Sequence, residues 1–224
     1  MKRQPNSHRH IGFTLIEVLT VIAIVAMLAA MGFAGMRYAM DASRKKDCTV
    51  LIADITKAVQ EYQAENGGYP RPATDEEQTV VDGETYKIAG ARVLYQFLSG
   101  DGDDALQGGE KPSTGIQGSA QDEKKPGLGK IYMDTIQAPN KEEIEKKKTK
   151  KLVASASETS FYVIDPWRHP LQYQVPERDK NGLVTGEIET YSSSNFELWS
   201  YGSLKKPEAT EAAQKEWITS WGAR

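Results

Sequence analysis

The sequence predicts an α+β chain: a long N-terminal helix, transmembrane in its first half and amphipathic in its second, packed on a small antiparallel β-sheet. Three observations predict it. From Phe13 to Met36 the only strongly polar side chain is Glu17. From residue 37 to 66 the apolar positions Tyr38, Cys48, Leu51, Ile52, Ile55, Val59 and Tyr62 recur at three- and four-residue steps, which mark one helical face. Beyond residue 160, short runs rich in aromatic and β-branched residues alternate with Pro, Asn and Gly, the pattern of strands joined by turns.

The first half of the helix has the length of a membrane span. At the α-helical rise, residues 13–36 reach ~36 Å, enough to cross a ~30 Å hydrocarbon layer with some tilt. A carboxylate near the start of such a segment is expensive in lipid, so Glu17 is a functional residue by default. The leading residues 1–12 are polar or basic and contain no acid. Lysine and arginine do not settle orientation: Lys2, Arg3 and Arg9 precede the span, and Arg37, Arg44, Lys45 and Lys46 follow it.

The second half continues without interruption. After Met36 the first glycine is Gly67 and the first proline Pro70, so Asn66-Gly67-Gly68 is a suitable stop and Pro70 prevents resumption. The helix from Phe13 to about Asn66 would then be ~80 Å long.

Residues 67–224 form the remaining domain. Asp82-Gly83, between Thr79–Val81 and Thr85–Ile88, predicts a type I′ hairpin. A short helix is expected over Ala91–Leu98. Residues 99–130 are rich in Gly, Asp, Ser, Gln and Lys and read as a long exposed loop. Residues 141–151 are dominated by lysine and glutamate and read as a solvated or mobile segment, so about 99–151 is a long insertion. Strands are expected at Phe161–Ile164, Leu171–Val175 and Phe196–Tyr201, with Glu197 and Trp199 on the face of the last strand away from the core. Asn181-Gly182 is a turn, and a short terminal helix within Glu208–Trp221 should pack Trp217 on the sheet.

Composition narrows the function classes. Hydrophobic residues make up 39% of the 224, and the apolar helix uses many of them, leaving one modest core. Net charge is −3, and −6 once Lys2, Arg3 and Arg9 are removed with residues 1–12, which offers no field for nucleic acid. Cys48 is the only cysteine, so no internal disulfide forms. With His8 and His10 in the leader and only His169 beyond it, no histidine cluster exists for zinc or a catalytic dyad. Asp101-Gly102-Asp103-Asp104 lacks the spacing and closing Glu of a calcium loop and reads as solvated. No catalytic and no metal-binding residue is assigned.

The Gly12-Phe13-Thr14-Leu15-Ile16-Glu17-Val18 stretch behind a basic lead resembles the class III signal of type IV pilins and type II secretion pseudopilins. Tyr62-Gln63-Ala64-Glu65-Asn66-Gly67-Gly68-Tyr69-Pro70 is similar to the Tyr-x-x-x-Asn-Gly-x-Tyr-Pro that ends this helix in the major pseudopilin. Asp165-Pro166-Trp167-Arg168-His169-Pro170-Leu171-Gln172-Tyr173 is similar to that branch's Asp-Pro-Trp-Gly-Asn-Pro-Tyr turn, and Ser200-Tyr201-Gly202 and Thr219-Ser220-Trp221-Gly222 follow in the same order.

The resemblance implies a pilin-like fold, with residues 1–12 as a leader cut between Gly12 and Phe13 by a prepilin peptidase. It implies N-methylation of Phe13 and a role for Glu17 in assembly. It implies a non-enzymatic subunit of a short periplasmic filament in a type II protein secretion system. Its partners would be other copies of itself, other pseudopilins, the inner-membrane secretion platform and the lipid bilayer, with no nucleic acid. The subunit would cross the bacterial inner membrane once, N-terminus cytoplasmic and C-terminal domain periplasmic. The alternatives are a type IV pilus pilin, disfavoured by the missing cysteine pair, and a signal-anchored periplasmic binding protein.

Four departures stand out. Leu204, Lys205 and Lys206 occupy the stretch where the family carries an acid-rich calcium loop, with only Glu208 and Glu211 beyond, so no calcium cofactor is carried over. Arg168-His169 replaces Gly-Asn in the tight turn. The 99–151 insertion has no counterpart in a minimal member. Ala26 and Ala34 stand where Gly and Pro are frequent, which leaves Gly32 and Gly35 as the weak points of the helix.

Overall fold

The computed structural model describes residues 14–74, 76–109, 130–136, 152–157, 160–181, 183–185, 189–204 and 206–222, with the backbone alone at 32–35. Gly12, Phe13, the lysine-rich 141–151 and most of the expected insertion lie outside the described residues. The chain divides into two units, one ending at Ser43 and one starting at Arg44.

In the first unit, helix α1 (Leu15–Asn66) carries a sleeve of apolar side chains that nothing among the described residues covers. Leu15 is 81% exposed, and Val18, Ile22, Val25, Leu28 and Met31 are all at least half exposed. A soluble helix turns such a surface into a core; here it is left for an apolar solvent or for other helices. Tyr38, expected on the amphipathic face, is 80% exposed, and the buried face starts at Cys48.

In the second unit, α1 contributes Cys48, Leu51, Ile52, Ile55, Ala58 and Val59 to the main core. The helix ends where expected: Gly67 takes φ +75°, a left-handed conformation suited to glycine, and its N–H donates to Gln63 O at 2.9 Å. Strands β1 (Gln78–Val81) and β2 (Glu84–Lys87) form the expected hairpin, with positive φ at both Asp82 and Gly83. Helix α2 (Ala89–Ser99) follows, longer at both ends than expected. It lays Val93, Leu94, Phe97 and Leu98 into the core, and Gly90 meets the next layer so closely that a Cβ there would lie 2.1 Å from Tyr173 O.

The remaining strands are β3 (Val153–Ser157), β4 (Ser160–Val163), β5 (Gln172–Gln174), β6 (Glu177–Arg178), β7 (Val184–Thr185), β8 (Glu197–Ser200) and β9 (Ile218–Thr219). All pair antiparallel, and among the described residues they form three small sheets beside the β1-β2 hairpin, the largest being β5-β8-β9. The α+β architecture of one long helix and antiparallel sheet is therefore present.

Some expectations need correction. The described part of the 99–130 loop is docked at some positions: Ser99, Asp101, Ala105 and Leu106 are buried, while Asp104, Gln107, Gly108 and Lys130 are exposed as expected. Backbone bonds from Ala73 to Ala105 O (2.8 Å) and from Gln107 to Arg71 O (2.7 Å) tie it down. On β8, both faces are covered. Leu198 enters the main core, while Trp199 joins a second cluster with Tyr86, Tyr201 and Trp217. Glu197 is buried as well, because its carboxylate accepts from Gln174 Nε2 and from the Tyr191 and Ser192 amides. The terminal helix α3 is one turn, Glu211–Gln214, capped by Thr210, and the chain then re-enters the sheet as β9. Trp217 packs as expected, stacked on Trp199 with ring centroids 5.6 Å apart.

Candidate functional site

Two of the residue groups singled out by sequence are described at atomic detail. The first is the head of α1. Thr14 stands immediately before the helix and Glu17 lies in its first turn. The Glu17 amide donates to Thr14 Oγ1 at 3.3 Å, and Glu17 Oε2 accepts from the Thr14 amide and from the Thr14 hydroxyl, both at 2.8 Å. This is a reciprocal capping box, which satisfies helix-end donors that lipid cannot satisfy. The Thr-x-x-Glu spacing that forms it was legible in the sequence but is not among the features read there. Both donors land on one oxygen; Oε1 accepts no hydrogen bond among the described residues. The carboxylate is thus oriented by its own chain and keeps an acceptor open at the margin of the apolar sleeve.

The second group is the Asp165–Pro170 turn. Asp165 is fully buried. Its Oδ1 accepts from the Trp167 and His169 amides, both at 2.9 Å, and its Oδ2 accepts from Ser200 Oγ at 2.5 Å. Ser200 Oγ in turn accepts from the Gly202 amide at 2.9 Å. The Ser-x-Gly block and the Asp-Pro-Trp block, 35 residues apart, are therefore one device that joins the turn to β8. Arg168 occupies φ +74°, where a side chain costs ~1 kcal/mol or more relative to glycine.

Asp165, His169 and Ser200 lie together, but not as an acid–base relay. The serine hydroxyl donates directly to the aspartate, and the imidazole stacks on Tyr86 at 5.3 Å instead of standing between them. Cys48 is buried beside Ser200, and burial pushes its thiol up to about 12, so it is neither thiolate nor nucleophile at neutral pH. The acids of the 101–104 loop are engaged separately. Asp101 accepts from Tyr95 OH at 2.5 Å, and Asp104 holds Arg92 and Gln96. No group of three or more His, Cys, Asp or Glu side chains suited to a metal ion occurs among the described residues.

The apolar half of α1 is the one described segment long and apolar enough to cross a membrane by length and composition. Residues 7–33, which contain Gly12, Phe13, Thr14 and Glu17, match the family model for the prokaryotic N-terminal methylation motif. That motif, at the head of a long helix followed by small antiparallel sheets, indicates a type IV pilin-like protein processed by prepilin peptidase. No curated protein and no solved structure matches the chain.

Proposed function

We propose that this chain is a pseudopilin: a structural subunit held in the bacterial inner membrane by α1 and assembled into a short periplasmic filament of a type II secretion system. The observation that carries the reading is Glu17, an acid oriented by Thr14 at the head of an apolar helix exposed among the described residues and inside a methylation motif. Cleavage between Gly12 and Phe13 creates an α-amino group, and N-methylation of Phe13 leaves it cationic. That amine on one copy neutralises the Glu17 carboxylate of another. In a low-dielectric helix bundle an unpaired Glu17 costs several kcal/mol, and pairing offsets much of it, so misregistered subunits are rejected. Two features favour a secretion filament over a surface pilus: the similarity of the Asp165–Tyr173 turn to the major pseudopilin, and a single cysteine, which leaves no pair to close a C-terminal loop.

The test is the mass of the mature N-terminus in cells that contain prepilin peptidase. The reading predicts loss of residues 1–12 and one added methyl group on Phe13. An uncut N-terminus, or a cut after the apolar run, contradicts it and leaves a simple anchored domain.

A further inference from the structure

We infer that the C-terminal segment of the second unit is locked onto the sheet by an aromatic cluster and lysine–carboxylate pairs, and needs no divalent cation to hold it. The inference goes beyond the filament reading and does not depend on it, since every residue concerned lies in the second unit. The resemblance drawn from the sequence implies a calcium loop after Ser200-Tyr201-Gly202, and the residues present do not fit one. A hard cation takes about six to eight oxygens, gathered from carboxylates and carbonyls in one place. Here the carboxylates are engaged elsewhere: Glu84 lies 3.9 Å from Lys206 Nζ, and Glu216 lies 3.4 Å from Lys45 Nζ. Glu208 and Glu211 are exposed, and no group of three or more His, Cys, Asp or Glu side chains suited to a metal occurs among the described residues. Lys206 also places an ammonium group within this stretch, which repels a second cation.

Strand β9 pairs only at Trp199↔Thr219 and Ser200↔Ile218, too little to hold the segment by itself. Strand alternation sends neighbouring side chains to opposite faces. Ile218 packs on the main core, while Trp217, one residue earlier, enters the second cluster. There its ring meets Tyr191 at 5.0 Å and Tyr201 at 5.3 Å, both edge-on, besides its stack on Trp199. From beyond β9, Trp221 closes on Trp199 at 6.1 Å, and Leu204 packs against the same cluster. Leu204 thus puts apolar bulk at the first position of the stretch where the acids would stand. Aromatic pairs in these geometries stabilise beyond their buried area. The Trp217 indole N–H is buried and has no acceptor among the described residues, so packing holds this side chain. The loop from Tyr201 to Trp217 is thereby pinned at its far end by one indole.

Heating the full-length chain in detergent, followed by near-ultraviolet circular dichroism of the aromatic cluster, tests it. Midpoints in a calcium chelator and in excess calcium chloride, at matched ionic strength, should agree within about 1 °C. A cation held only by the folded chain, at about a hundredfold excess over its dissociation constant, would raise the midpoint by about 5 °C or more. A saturable rise of that size overturns the inference. Trp217→Ala should lower the midpoint by about 10 °C in either solution, and Trp217→Phe, which loses area but no hydrogen bond, by about half as much. Lys206→Ala, at an exposed pair, should move it by less than about 2 °C. An unchanged midpoint in Trp217→Ala, or one that calcium restores, also overturns the inference. If Trp217→Ala does not fold, Trp217→Phe and the chelator comparison on the parent chain decide it. The N-terminal mass that tests the filament reading is untouched by either outcome.

Discussion

Replacing Glu17 with alanine should leave the chain inserted in the membrane and abolish filaments. Insertion depends on the apolar residues of α1, which the substitution does not touch, and removing a carboxylate from lipid favours it. Assembly loses the charge that selects register, a penalty of several kcal/mol per misplaced subunit. Alanine also removes the capping box, worth ~1 kcal/mol at the helix start, so it confounds two roles. Glu17→Gln separates them. A glutamine Oε1 still accepts from the Thr14 amide, which preserves the cap, but carries no charge for an amine. Filaments absent in both variants, counted by electron microscopy against equal membrane content, identify the charge. Filaments restored by glutamine would assign Glu17 to helix capping alone.

The second large effect is expected at Asp165. Asp165→Ala strips the acceptor from two backbone amides and the Ser200 hydroxyl inside the fold. Three buried donors without partners, together with the lost link between turn and β8, should cost ~3–5 kcal/mol, comparable to a small domain's whole stability. Asp165→Asn, which keeps one acceptor oxygen, should cost less, and denaturant unfolding of the full chain in detergent measures both. Burial holds the Asp165 carboxyl above its ordinary 3.8, against the pull of its three donors. The folded state therefore binds this proton more tightly than the unfolded one. Asp165's contribution is full below 3.8 and fades as pH rises through the higher folded value. Between those values the asparagine variant should lack this component of the pH slope.

The parts of this molecule governed by local chemistry were readable in the sequence. The apolar run, the Asn66-Gly67 stop and the Asp82-Gly83 turn each carry their cause within a few residues. What could not be read was decided by distant partners. Glu197 looked like a solvent-facing strand residue because nothing nearby in sequence announces Gln174 and the Tyr191 and Ser192 amides. Asp101 looked solvated because Tyr95, which buries it, reaches it only after α2 has formed. The two-residue strands β6, β7 and β9 are too short for any alternation to show. At the candidate site the acid was legible and its holder was not singled out, although Thr14 stands three residues away.

The inter-copy pairing can be measured directly. Filaments grown from an equal mixture of chains labelled with nitrogen-15 only and chains labelled with carbon-13 only allow solid-state magnetisation transfer between copies alone. A cross-peak between the Phe13 α-amine nitrogen of one and the Glu17 carboxyl carbon of the other, at hydrogen-bonding distance, is the predicted result. Intact filaments in which that carboxyl reports only Thr14 of its own chain would contradict the account.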